Sequence, residues 1–219
     1  MNIFRVWKRY RSYRKNRFWY QRDSFNRKVY GSLSPLSCER LYVDPRSILR
    51  IIAHTELSRL DSGRVLGGDW DLGTENFNIH PKYEIVYERF VKHKTWEEAG
   101  AYNLMKSLIK EESGAVDGCY SIEDIRFRYE EIDRIYANTK ISGRLLTRQE
   151  ISKKNFRELD GIYVHVDRNA NFIFGGGGCH RFAIAKVLQL KYIPVQVGVV
   201  HEDAVPFWRK NCIKTTEYA

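Results

Sequence analysis

Four glycines in a row, Gly175, Gly176, Gly177 and Gly178, are followed at once by Cys179, His180 and Arg181. Glycine lets a backbone enter φ > 0 conformations and approach a ligand closely. The amides that open a following helix have no intrahelical partners and sit at its positive end, which suits an anion such as phosphate. Arg181 adds a planar fork of donors matched to phosphate oxygens. The spacing is neither GxGxxG nor a P-loop, because no GKS or GKT follows the glycines. The plain structural alternative is a tight turn with an arginine on its rim. Cys179 lies beside the helix start and close to Arg181, and both favour a thiolate electrostatically. His180 is its sequence neighbour, which alone does not make it a base.

A second group lies in residues 61–72, DSGRVLGGDWDL. Three glycines break any regular element there, and Arg64, Asp69 and Asp71 place both charge signs around Trp70. Asp69 and Asp71 are two apart, so on extended backbone they face the same way. Such a pair can hold a divalent cation carried by a nucleotide, or orient a substrate hydroxyl. Arg64 is a further candidate phosphate contact. The alternative is a capped turn anchored by Trp70.

The elements around these residues follow from pattern. Residues 162–174 read as β-rich, with a turn at 167–170. Phe182, Ala183, Ala185, Val187 and Leu188 fit the buried side of a short helix. Residues 193–200 are β-branched and read as a strand. The unit is strand, glycine turn, helix, strand. Residues 41–43 are a strand candidate. Asp44 and Pro45 make a helix start, and Ile48, Leu49, Ile51 and Ile52 extend that helix to about residue 60, with His54 in it. Residues 82–139 read as helices, with capping boxes at 95–98 and 121–124. A short helix is expected within 147–156. No HExxH or EF-hand spacing is present.

Phe174 with Gly177, Gly178, Cys179, His180 and Arg181 resembles the glycine–Cys–His–Arg signature of the ParB/sulfiredoxin superfamily. The resemblance runs through AIAKVLQLKYIPVQV and covers residues 162–201. It implies an α/β fold of ParB/sulfiredoxin type, with 82–139 as a helical insertion in a domain spanning 38–219. It also implies nucleotide phosphates bound at the glycine turn, with ATP as first choice and CTP as second, carried with Mg2+. Kinase members suggest phosphoryl transfer to a small hydroxyl-bearing or sugar-like substrate, or nucleotide hydrolysis. Asp69 or Asp71 would then position the metal or accept the substrate proton, and Arg181 and the glycine amides would stabilise phosphate charge. In sulfiredoxins the cysteine matching Cys179 attacks an activated sulfinic phosphoryl ester, so thiol chemistry is an alternative.

The chain has 219 residues and 43% hydrophobic content, enough for one substantial core. Four cysteines without paired spacing suggest a reducing compartment and no structural zinc. No apolar run approaches a membrane span and no secretion signal is visible, so the expectation is a cytoplasmic protein, or one peripheral at a membrane. Charge is concentrated at the start. Residues 1–30 hold ten Lys or Arg against one acid, Asp23, a net +9 of the chain's +10. Aromatics interleave with this charge in an arm spanning 1–37. It can meet an anionic membrane surface, grip nucleic acid, or pack on its own domain. A nucleotide-gated nucleic-acid or membrane-surface module is therefore a second function class.

Overall fold

The computed structural model describes residues 3–53, 57–112 and 116–212, with side chains from 16 onward except at 112. His54 lies outside the described residues, as do the side chains of the arm's aromatics up to Tyr13.

Seven strands form one mixed sheet: β1 (Arg40–Val43), β2 (Arg50–Ile52), β3 (Val65–Leu66), β4 (Thr74–Asn76), β5 (Ile162–Val166), β6 (Phe172–Phe174) and β7 (Ile193–His201). Their order is β1-β7-β5-β6-β2-β4, and β3 pairs with the far end of β7. β5 and β6 make an antiparallel hairpin with Val164 opposite Phe174. β7 runs parallel to β5, with Ile162 opposite Val195, and the register shifts between Val164 and Val166. All residues of β5, β6 and β7 are buried, as expected of central strands covered on both faces.

The helices are α1 (Ile3–Tyr30), α2 (Pro81–Phe90), α3 (Ala101–Glu112), α4 (Ile122–Ser142), α5 (Arg148–Ile151) and α6 (Cys179–Val187). α6 is the pivot. Residues 179–185 are all buried. Cys179, Phe182 and Ala185 join the core that lies on the sheet, among Val164, Phe174 and Val195. Ala183 and Ile184 join a second core with Val86, Trp96, Met105, Tyr129 and Ile132 of the α2–α4 region. α6 is enclosed, with the sheet below and α2, α3 and α4 above. α4 begins at a reciprocal box between Ser121 and Asp124 and ends at Gly143, in the left-handed region at φ 69°.

One local expectation changes. The helix from 48 to 60 does not form. Asp44 caps only a 3-10 turn at Pro45–Ser47, and Arg50–Ile52 joins the sheet as β2. The apolar Ile51 and Ile52 belong to a strand paired on both edges, with β6 and β4, so sheet pairing overrode the helical reading of a short apolar run. The short helix expected within 147–156 forms at Arg148–Ile151, capped by Thr147.

The last half of α1 packs on the body. Trp19 is fully buried and stacks on Phe156 at 5.1 Å. Asp23 pairs with Arg157 at 2.7 Å, and Asn26 donates to the Pro35 and Gly63 carbonyls. Among the described residues no helix is long and apolar enough to cross a membrane.

Candidate functional site

The glycine turn is strapped to β5. The Gly175 amide donates to the Tyr163 carbonyl at 2.8 Å, and the Tyr163 amide donates to Gly177 at 2.9 Å. Gly178, at φ 77°, is the N-cap of α6, and its carbonyl takes the first helical hydrogen bond, from the Phe182 amide. The amides of Cys179, His180 and Arg181 precede that bond and are the ones an anion can meet. Gly177 is required by a neighbour. A Cβ there would lie 2.1 Å from Nη2 of Arg59, whose guanidinium donates to Gln196 at 2.8 Å and to the Gly161 carbonyl at 3.0 Å.

A cavity of about 870 Å³ opens over this turn. Its floor holds Gly178, His180 and Arg181. Its roof is α4, which presents Arg128, Ile132, Ile135, Asn138, Thr139 and Ser142, a single face at helical spacing. The segment after α4 adds Arg144 and Arg148, and Arg59 closes one side. Five arginines thus line one cavity, against the acids Asp117, Glu131 and Asp160. Nε of Arg128, Nε of Arg148 and Nε2 of His180, all from residues of this lining, are buried without a hydrogen-bond partner. Unpartnered buried polar groups are costly and call for a water or a ligand as partner.

Arg181 is buried and reaches back to the Leu146 carbonyl, so it also holds the roof segment in place. His180 lies beneath the edge of the Tyr129 ring, with Nδ1 3.8 Å from Asp117 Oδ2. Burial pushes its imidazole down to about 3, so it is neutral. Asp117 sits at φ 51° in a tight turn. Burial alone would raise its carboxyl, but Lys82 at 2.7 Å, His180 and Arg128 outweigh that and hold it below the usual range. The carboxylate beside Nδ1 favours the tautomer protonated there, which leaves the lone pair on Nε2, buried without a hydrogen-bond partner.

The expected thiolate at Cys179 does not follow. Its Sγ lies 3.5 Å from Nδ1 of His80, and burial pushes the thiol up to about 12. The proton stays on, because desolvation outweighs the helix N-terminus. Cys179 faces the sheet core rather than the cavity.

Asp69, Asp71 and Arg64 are not brought to the glycine turn. Asp69 and Asp71 do face the same way, and both bind Arg168, at 2.8 and 2.7 Å. Burial would raise the Asp71 carboxyl, but the Arg168 guanidinium and amide bind it and hold it low. Arg168 lies in the closed end of the β5–β6 hairpin, whereas the glycines leave from its open end. Five strand residues separate the two ends, about 15 Å. Trp70 covers His165 and His201 in between. Arg64 pairs with Asp61 at 2.6 Å and does not line the cavity.

The sequence reading missed Arg59, Asp117, Arg128 and Arg148. A signal existed for α4: Arg128, Asn138 and Ser142 share one side with Ile132 and Ile135 at helical spacing. For Arg59 and Asp117 no local signal existed, since only the folded chain brings them to residue 178. Comparison with protein-family models, curated proteins and solved structures finds no significant match to this chain.

Proposed function

We propose that this chain is a nucleotide-binding enzyme of ParB/sulfiredoxin type, a phosphotransferase or nucleotide hydrolase that acts on a small hydroxyl-bearing or sugar-like compound. The observation that supports it most is the group of arginines with unpartnered buried Nε atoms around the start of α6. Fixed cationic donors at a helix N-terminus suit a polyphosphate. The cavity volume is in the range of small-molecule sites. ATP is the first choice of nucleotide and CTP the second.

The residues present fit a nucleotide's phosphates. Arg148, Arg181 and the amides of residues 179–181 would hold them, with Arg59 beside the turn. The nucleotide supplies a transferable phosphoryl group. The chain's own contribution is positioning and charge stabilisation, which dominate phosphoryl transfer. Nε2 of neutral His180 can accept a hydrogen bond from the hydroxyl of the second substrate, oriented by Asp117 at Nδ1. The roof of α4 limits water around that hydroxyl. A magnesium ion held by Asp69 and Asp71 does not fit, because Arg168 takes both carboxylates and the pair lies at the other end of the hairpin. The thiol alternative gains no support from a buried, protonated Cys179.

Phosphorus NMR of ATP with the protein and a panel of glycerol, serine, glucose and inositol tests this reading. The expected result is loss of the γ-phosphate signal to inorganic phosphate or a phosphoester. His180→Phe should lower that rate at least tenfold while ATP affinity stays within about threefold. Intact ATP with every compound, together with no nucleotide binding, would overturn it.

A further inference from the structure

The inner and outer sides of α1 differ in kind. Inward, Trp19, Asp23 and Asn26 are buried on the body. Outward, Phe18, Phe25 and Val29 are 45%, 62% and 54% exposed, and their spacing of seven and four puts them in one stripe. Leu33, just past the helix end, is exposed as well. Exposed Arg17 and Lys28 lie beside the stripe, and Arg22 rests on the Phe18 ring at 4.6 Å.

The burial of Asp23 matters most. It is the only acid in residues 1–30, and it is turned inward and neutralised by Arg157. The outward side of α1 therefore combines apolar side chains with unopposed positive charge. Among the described residues nothing covers it, and Trp19 fixes which side faces out.

We infer that this face of α1 docks the protein on an anionic lipid surface, with Phe18, Phe25, Val29 and Leu33 entering the headgroup boundary and the cations on lipid phosphates and carboxylates. A basic amphipathic helix lying in the interface has this construction. Nucleic acid is the weaker occupant, because Val29 and Leu33 have no ring to stack on a base. They gain only by leaving water, which a bilayer provides. Arg17 and Lys28 have aliphatic stems long enough to keep their charge at the surface while the stripe inserts.

The test is sedimentation of the full chain with extruded vesicles at 0.1 M NaCl, without nucleotide, so that it stands apart from the cavity. Vesicles of phosphatidylcholine alone are compared with vesicles containing about 30% phosphatidylserine. The chain should bind the second and not the first, and be released at 0.5 M salt. Phe25→Ser with Val29→Ser should weaken binding at least tenfold with an unchanged thermal melt, since both side chains are exposed. Arg17→Glu with Lys28→Glu should do the same. Equal binding to neutral vesicles, no binding, full binding by both variants, or tenfold tighter binding to DNA would each overturn the inference.

Discussion

The Cys179 thiol stands beside a helix N-terminus that would favour its anion, yet burial leaves it protonated. Alkylation at neutral pH in the folded protein should therefore be slow, rising to the rate of an ordinary thiol only on unfolding. Cys179→Ser should retain nucleotide binding and most turnover. Rapid alkylation near pH 7 together with a dead Ser variant would make Cys179 the nucleophile instead. Two imidazoles behave alike. His165 is fully buried, with Nδ1 accepting the Val199 amide at 3.0 Å, and burial holds it at about 4. An unfolded histidine titrates near 6.5, so between these values the unfolded chain binds the extra proton, and stability falls as the pH drops from about 6.5 to 4. His180, at about 3, acts in the same sense. Glu158, raised by burial, acts in the opposite sense, so the contribution of His165 is best read from a variant. His165→Asn keeps an acceptor for Val199 and should remove about 2 kcal/mol of the stability loss between pH 7 and 5. Parallel denaturant titrations at the two pH values measure it, and equal losses in both proteins would show that His165 does not carry the slope.

Among the elements, the unit from β5 to β7 was the most legible, because its periods are clean: the strands, the glycine N-cap and the short buried helix all lie where pattern puts them. The capping boxes at 95–98 and 121–124 also form. What pattern could not supply was partnership. Residues 48–52 carry apolar side chains that suit a helix or a strand, and only the open edges of β6 and β4 decide. Asp69 and Asp71 have the right types and spacing for a cation, but the arginine that takes both is 97 residues from Asp71. Asp71→Asn should accordingly cost about 2 kcal/mol of stability, by weakening a buried charge-assisted contact, and leave nucleotide affinity at saturating magnesium within about twofold. A large loss of affinity in a folded Asp71→Asn protein would restore the metal role. Gly177→Ala tests the turn: its Cβ would meet Arg59 at 2.1 Å, so Arg59 must move, and nucleotide affinity should fall at least fivefold by calorimetry. Undiminished affinity would remove Arg59 from the site.

On the scale of the whole molecule, the helices above α6 are what turn a glycine turn into an enclosed site. Without α4 the amides of residues 179–181 would face open water, where an anion gains little. With it, five arginines converge on one cavity. The same molecule segregates its charge, since the arm carries nearly all of the net +10. The account rests on the cavity being a polyphosphate site. Its most direct test is isothermal calorimetry of ATP and CTP with magnesium on the wild type, Arg128→Gln and Arg148→Gln, with thermal melts of all three. The predicted result is saturable nucleotide binding, weakened at least tenfold in each variant while the melting temperatures stay within about 3 °C. A wild type that binds neither nucleotide, or variants that bind as tightly as the wild type, would contradict it.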